Sequence, residues 1–344
     1  VSIEASIGRV LIIGGNGLLG SALLELLLKG YGNPTSISVL DIQELEINAP
    51  EVVFYKGDIR NLEDVVKACK NIDTVFQVAA IVNFNPKNNA LMHAVNVTGT
   101  KNVLKACESN GVKSMIYTSS MDVVYEGNAI TNGDESLPYA IKHVDYYSQT
   151  KTEAEQFLLK TSSSVAKCAL RATGIYGPND RVRFSVIVKA AQEGKFVRIG
   201  KNDNAIYSHV FSYNCAYAHI LAAQKLYKNS NLDGQAYFIT DDSNDNFHRF
   251  ANKILNAAGL PITDKSLPIY VAKSLAFFSM LWIKLPWVSA SASPLITNNA
   301  ISSLTKDIWF NSHKAKSDFG YQPLVSLEEA INQTAEWIRA TYLK

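Results

Sequence analysis

Cysteine is scarce. Only four occur in 344 residues, Cys69, Cys107, Cys168 and Cys215, and no two of them form a CxxC pair. That spacing excludes a disulfide-stapled scaffold and a structural zinc site, and it fits a reducing compartment. Excess charge of one sign is also missing: 33 Lys and Arg against 31 Asp and Glu leave +2. A nucleic-acid binder needs a basic surplus, so no nucleic-acid partner is expected. The six histidines show no ligand spacing, and no metal is expected; His209 and His219 read as structural or surface residues. Residues Val1 to Gly8 lack a charged n-region followed by an apolar run, so no signal peptide is expected. Between Lys273 and Lys284 the uncharged run is ten residues, half of the ~20 that a spanning helix needs. Fixed-period repeats and low-complexity tracts are absent as well.

Apolar residues make up 47% and charged residues 19%, enough core-forming material for a globular fold. The first half alternates β-branched runs with helical patterns. Strands are expected at Arg9–Ile13, Ser36–Leu40, Val52–Tyr55, Thr74–Val78, Lys113–Thr118 and Ala166–Leu170. Helices are expected at Leu18–Leu28, Leu62–Cys69, Asn89–Ser109 and Asp145–Leu159, the third of them stopping before Asn110-Gly111. Such a succession of βαβ units predicts an α/β fold, a doubly wound parallel sheet of Rossmann type. Residues 1–177 form this domain. Residues 178–344 form mainly a smaller substrate-binding region, with elements near 205–240 returning to the sheet. That region has helical patterns at Phe184–Ala191, Asn214–Tyr227, Phe247–Ala258 and Leu327–Thr341, and short strands near Ala205–Val210 and Gln235–Thr240.

The first strand runs straight into Gly14-Gly15-Asn16-Gly17-Leu18-Leu19-Gly20. In GxxGxxG spacing, the first glycine permits the tight turn and the second lets backbone approach a pyrophosphate. The third brings helix and strand together. A phosphate would sit on the N–H groups of the helix N-terminus, which assigns Gly14, Gly17, Leu18, Leu19 and Gly20 to a dinucleotide. A plain glycine-rich turn is the alternative for the loop alone. Asp41 tips the balance: it ends the second strand 21 residues beyond Gly20, where an acid accepts hydrogen bonds from the adenosine ribose. A carboxylate there repels a 2′-phosphate, favouring NAD over NADP.

Tyr147 and Lys151 lie four apart on a helical pattern, hence on one face. A phenol titrates near ~10, and a neighbouring ammonium is expected to lower it. Ser120 closes the strand-end sequence Thr118-Ser119-Ser120, where parallel sheets place their ligands. Alone, each has a bland reading: a core tyrosine beside a solvated lysine, and a serine-rich turn. Serine, tyrosine and lysine in this order after a dinucleotide loop are far more specific.

With these residues the chain resembles the extended short-chain dehydrogenase/reductases, and within them the 3β-hydroxysteroid dehydrogenase family. The likeness runs from about Arg9 to Trp337. It includes Tyr55-Lys56-Gly57-Asp58-Ile59, Asn96-Val97-Thr98-Gly99-Thr100, the stretch from Gly127 through Leu137-Pro138-Tyr139 to Lys151, and Arg171 to Asp180. The resemblance implies Tyr147 as catalytic acid/base, Lys151 as its partner and nicotinamide-ribose ligand, and Ser120 as the bond to the substrate hydroxyl. It further implies Asp58 and Ile59 beside the adenine and Ala79 and Ala80 under the cofactor. Two departures stand out. Ala172 replaces the usual proline after the arginine, which would loosen the loop near the nicotinamide, and 209–214 is atypical. The activity implied is oxidation of a 3β-hydroxysterol by NAD, favouring a 4α-carboxysterol that then loses carbon dioxide. Plain 3β-hydroxysteroid oxidation, with or without Δ5–Δ4 isomerisation, is the nearest alternative. A nucleotide-sugar epimerase or dehydratase is disfavoured because 260–300 lacks arginine and is rich in large apolar residues. A non-catalytic NAD-binding scaffold is disfavoured by the intact trio. Two further expectations are a homodimer through Asn89–Ser109 and the helix after Tyr147, and peripheral membrane contact through 267–290. The implied location is intracellular, in the cytoplasm or on the cytoplasmic face of an internal membrane.

Overall fold

The computed structural model describes residues 6–200, 204–228, 230–294 and 296–343. Most of the Val1–Gly8 segment, on which the signal-peptide expectation rests, lies outside them.

Strand β1 (Gly8–Ile13) is buried from Val10 to Ile13, as a parallel strand covered on both faces must be. Then come α1 (Leu18–Leu28), β2 (Pro34–Asp41), β3 (Val52–Lys56), α2 (Leu62–Ala68) and β4 (Thr74–Gln77). The next helical stretch is α3 (Asn89–His93), a π turn at Ala94–Gly99, and α4 (Thr100–Asn110). Gly111 stops it at φ 67°, a left-handed cap that costs a glycine little. The chain continues through β5 (Ser114–Ser120), β6 (Ile130–Gly133), α5 (Tyr146–Lys160), β7 (Ala166–Ala172), β8 (Gly174–Tyr176) and α6 (Arg183–Gln192). Next are β9 (Arg198–Ile199), β10 (His209–Phe211), α7 (Ser212–Lys228), β11 (Ala236–Ile239) and α8 (Phe247–Ala257). The last elements are β12 (Ser266–Leu267), α9 (Ile269–Ile283), α10 (Asn298–Thr305), β13 (Ile308–Phe310), α11 (His313–Phe319) and α12 (Leu327–Tyr342).

Seven strands form one parallel sheet in the order β3-β2-β1-β4-β5-β7-β11. The strand order reverses between β1 and β4, and a crevice for a ligand opens there at the carboxyl ends. Alternate residues feed two cores. Val10 and Ile12 pack with Leu23, Leu27 and Ala216 on the α1/α7 side. Leu11 and Ile13 pack with Val65, Leu104 and Leu158 on the α2/α4/α5 side. β5 runs to Ser120 rather than stopping at Thr118, so Ser120 is its last residue. β7 runs in register through Ala172, which pairs with Ser120 on one side and Ile239 on the other. The ladder therefore continues to the residue that replaces proline.

Beyond the sheet, three short parallel pairs, β6–β13, β8–β10 and β9–β12, tie distant segments together. Helices α6, α8 and α12 share a core around Phe184, Phe250, Ile254 and Ile338. Helix α9 is built the other way round from a core helix. Its buried residues, Ala272, Ala276, Ser279 and Ile283, are mostly small, and Ala272 and Ala276 pack with Ile199 and Ile301. Its large side chains face out: Tyr270 is 73% exposed, Phe277 60%, Phe278 64% and Trp282 50%, with Trp287 beyond it at 78%. No described helix is long and apolar enough to cross a membrane.

Candidate active site

The glycine loop turns between β1 and α1. Gly14 has φ +96°, and a Cβ there would lie 2.8 Å from the Ala79 Cα. A Cβ on Gly20 would approach the Gly14 carbonyl oxygen to 2.0 Å, so the helix can rest on the turn only as glycine. Gly15, which the spacing argument passed over, is also constrained: its Cβ would meet Val39 Cγ1 at 2.5 Å. Around Gly17 there is space, with Gly14 O the nearest atom at 3.5 Å. Gly17 caps α1 without a side-chain hydrogen bond, and the first turn holds no acid. Its N–H groups, including those of Leu18 and Leu19, are thus left to an anion.

Asp41 ends β2 with its carboxylate turned towards this loop, accepting from Asn16 N at 3.0 Å and Gln43 N at 3.1 Å. Each carboxylate oxygen keeps a lone pair for another donor. Asp58 follows β3 and is paired with Arg60, whose guanidinium holds that carboxyl below its usual range. Ile59 beside it is buried against Gly99. Ala79 is half-buried and Ala80 exposed at the end of β4, beside the glycine turn. An open cradle, a free helix N-terminus and a strand-end acid fit the adenosine diphosphate half of a dinucleotide.

Ser120, Tyr147 and Lys151 meet at the carboxyl end of β5. The Tyr147 ring is half-buried, and the Ser120 hydroxyl lies beside its oxygen, favouring the phenolate. Burial outweighs that effect and, with Asp122 and Asp145 repelling a phenolate, raises the Tyr147 phenol well above its ordinary value. The expected lowering by a neighbouring ammonium is therefore corrected. Lys151 donates instead to the Thr118 carbonyl at 2.5 Å and lies over the Tyr117 ring, 4.3 Å from its centroid. A buried ammonium needs a partner, and the strand-end carbonyl supplies one. Burial still pushes Lys151 down to about 7, against the pull of Glu155.

Several residues that sequence reasoning left without a role hold this trio in place. Asn96, in the π turn, accepts from Ile81 N at 2.8 Å and donates to Ile81 O and Thr150 Oγ1, both at 3.0 Å. It thereby joins the segment after Ala80 to α5. A π turn inside a helix is a frequent mark of such a site. Asp145 caps α5 through Ser148 N at 2.8 Å, and its other oxygen accepts from Asn299 of α10 at 3.0 Å. Glu155 pairs with Arg171 at 2.7 Å in the interior and accepts from the Tyr139 hydroxyl at 2.8 Å. The Leu137-Pro138-Tyr139 and Arg171 segments of the sequence likeness thus converge behind Lys151. His219 and His209 are both fully buried, which removes the surface reading. His219 is pushed down to about 4 by burial and bonds the Thr118 hydroxyl at 2.7 Å. His209, pushed down to about 3, stacks on Phe250 at 3.9 Å.

Residues 11–269 match the 3-beta hydroxysteroid dehydrogenase/isomerase family. Mouse sterol-4-alpha-carboxylate 3-dehydrogenase, decarboxylating, is 34% identical over 330 residues, 94% of this chain and 89% of its own. The Candida albicans enzyme of that description is 33% identical, covering 97% and 98%. A 3-beta-hydroxysteroid dehydrogenase of Mycolicibacterium neoaurum is 32% identical, covering 96% and 91%. Among solved structures, UDP-glucose 4-epimerase of Thermotoga maritima with UDP-glucose superposes with a TM-score of 0.74 at 19% identity, over 98% of this chain and all of that one. The Thermus thermophilus UDP-glucose 4-epimerase complexed with NAD gives 0.71 at 20% identity, over 97% and 99%. At that distance these two share the fold.

Proposed function

The chain belongs to the 3-beta hydroxysteroid dehydrogenase/isomerase family, and from that premise we propose that it oxidises the 3β-hydroxyl of a 4α-carboxysterol with NAD, the product losing carbon dioxide. The observation that carries this reading is the meeting of Ser120, Tyr147 and Lys151 at the end of β5, beside an uncapped glycine-loop helix. The glycine loop, Leu18, Leu19 and Asp41 would hold the adenosine diphosphate, with Asp58, Ile59, Ala79 and Ala80 along its path. Bound NAD supplies the acceptor for the C3 hydride. Tyr147 takes the hydroxyl proton, and Ser120 holds the oxygen while it becomes a carbonyl. Lys151, held on the Thr118 carbonyl and pushed down to about 7, would bind the nicotinamide ribose and offer that proton an onward path. Oxidation of a 4α-carboxysterol gives a β-keto acid, which loses carbon dioxide through its enol without a further catalytic group. The test is product analysis with 4-carboxylated and unsubstituted 3β-hydroxysterols side by side. Stoichiometric carbon dioxide and NADH from the first support the reading. Equal or better turnover of the second leaves only the wider 3β-hydroxysteroid dehydrogenase activity.

The outward face of α9 supports a second element of the reading. Phe277, Phe278, Trp282 and Trp287, flanked by Lys273 and Lys284, suit an interfacial helix lying on a lipid surface from which a sterol is taken. The cytoplasmic face of an internal membrane is the location we assign on this ground. Pairing of two copies through α4 and α5 completes the reading, since Gln156 and Phe157 on α5 remain only half covered. Size-exclusion chromatography with light scattering tests it; a monomer at micromolar concentration would overturn the pairing.

A further inference from the structure

The mechanism above leaves one ionisable group of the cleft unused. Asp122 sits in the 3-10 turn Met121–Val124, for which Ser120 is the N-cap. Ser120 Oγ accepts the Asp122 backbone N–H at 3.2 Å and donates to Asp122 Oδ2 at 2.9 Å. A serine hydroxyl has one proton and two lone pairs. With Asp122 ionised, one lone pair is held by the Asp122 N–H and the single proton by the Asp122 carboxylate. What remains is a lone pair, and a ketone oxygen has no proton to give it. With Asp122 protonated, the carboxylic acid donates to that second lone pair, and the Ser120 proton is free for the reacting oxygen.

We propose that Asp122 is a positioning residue whose protonation state decides whether Ser120 donates to the substrate oxygen or only accepts. This rests on the reading of Ser120 as the substrate's hydrogen-bonding partner. The surroundings favour a proton on Asp122 near neutrality. Desolvation at the crowded cleft wall, followed by repulsion from Asp145 of α5, pushes it up to about 7, while Ser120 and Arg183 of α6 oppose. Tyr147 of α5, Tyr125 on the same segment and Tyr207 before β10 also face it, and each is disfavoured as a phenolate by the Asp122 charge. Ionised Asp122 therefore weakens the site twice: it turns Ser120 away and keeps the Tyr147 proton in place.

The reductive direction isolates the effect, because a ketone can only accept and Tyr147 starts as the protonated acid. The enzyme is assayed with NADH and a 3-ketosterol lacking a 4-carboxylate, from pH 6 to 9. Above pH of about 7, kcat/KM of the wild type falls at least tenfold per pH unit, with both Asp122 and Lys151 losing a proton in this range. Asp122→Asn presents an amide N–H to Ser120 at every pH, and its rate falls about tenfold less per pH unit than the wild type's, the Lys151 titration alone remaining. Asp122→Ala leaves the Ser120 proton unclaimed and is equally shallow, so the test does not hang on one variant. A role in folding alone would lower the rate equally at all pH values, with a shifted melting temperature. The proposal is overturned if Asp122→Asn keeps the wild-type fall, or if the wild type shows none. Ser120→Ala at pH 6.5 separates the two readings. Retained activity removes Ser120 from the mechanism and the positioning role with it, whereas lost activity with an unchanged Asp122→Asn profile removes only the positioning role.

Discussion

Replacing Phe278 and Trp282 together by glutamate tests whether α9 meets a lipid surface. Both side chains point outward, 64% and 50% exposed, while the helix is held from its other side by Ala272, Ala276, Ser279 and Ile283. Fully burying a large apolar side chain is worth ~1.5–3 kcal/mol. Covering the exposed part of each ring therefore contributes about 1–2 kcal/mol, and the pair about 2–4 kcal/mol. Carboxylates in their place lose that contribution and add a desolvation cost. At about 1.4 kcal/mol per factor of ten, vesicle partitioning should fall roughly 30-fold or more. The assay is flotation with phosphatidylcholine vesicles, with and without phosphatidylserine, because Lys273 and Lys284 should add attraction to the anionic surface. Thermal stability in solution should be unchanged, since neither ring belongs to a core. A double variant that floats as well as the wild type refutes the reasoning. Wild-type protein that ignores vesicles refutes it more directly.

Tyr147→Phe should abolish oxidation while leaving NAD affinity nearly unchanged, because only the ionisable oxygen is lost; activity within a few-fold of wild type would contradict its role. Asp41→Ala should erode a preference for NAD over NADP, read as the ratio of kcat/KM values, and a wild type favouring NADP would contradict the ribose assignment. Glu155→Gln strands the buried Arg171 guanidinium, and should cost about 3–5 kcal/mol in urea unfolding; a loss below about 1 kcal/mol would mean the pair is dispensable. Asp73 is held well below the carboxylate range, chiefly by its hydrogen bond to Arg9 and also by Lys113. A depressed folded-state value adds stability above the unfolded value of ~3.9, lost as pH falls towards the folded value. Asp73→Asn should therefore be less stable than wild type at pH 7, with the gap closing below about pH 4; a gap independent of pH would refute the linkage.

Where the deciding forces were local, the sequence was readable. Helix α1 spans Leu18–Leu28, as its apolar pattern after the glycine loop predicts, and Gly111 ends α4 where the Asn110-Gly111 stop was expected. The parallel sheet follows from strands whose apolar runs had to be covered on both faces. Long-range pairings were not readable. β6 meets β13 across more than 170 residues with only two register pairs, Ile130 with Ile308 and Gly133 with Phe310. Two or three residues leave no periodicity to recognise. The inverted build of α9 was half visible: Ala272, Ala276, Ser279 and Ile283 recur at helical spacing, yet a helix apolar all round does not say which face turns inward. In the site, residue types and order disclosed the trio, whereas its electrostatics depended on burial. The ammonium beside Tyr147 was a reasonable expectation from i,i+4 spacing, but the Thr118 carbonyl, displayed by the sheet, captures it. Asp122 stood two residues beyond Ser120 throughout, and only the turn that folds it back reveals the bond.

The outer layer and α5 are joined by side chains reaching backbone and caps rather than by strand pairing with the sheet. Asn299 of α10 holds the free oxygen of the Asp145 cap, two residues before Tyr147. On the other side of the crevice, Asn85 donates to the carbonyls of Ser289, Ala290 and Ala292 at 3.3, 3.2 and 2.9 Å. Lys87 donates to those of Leu285, at 2.7 Å, and Val288, placing a cation on the carbonyls just past the end of α9, where the helix dipole favours one. These anchors follow Ala79 and Ala80 in the chain, and Asn96 fixes the intervening Ile81. One contiguous set of contacts therefore runs from the glycine turn through the end of β4 to the exposed aromatic helix, and returns through α10 to the cap of α5. The apolar layer is thus fastened by a few side-chain bonds at each end, whereas Ser120 and Thr118 sit within the β5 ladder. The sterol reading proposed above fits that division, with the reactive hydroxyl carried by the sheet and the apolar layer by fewer contacts.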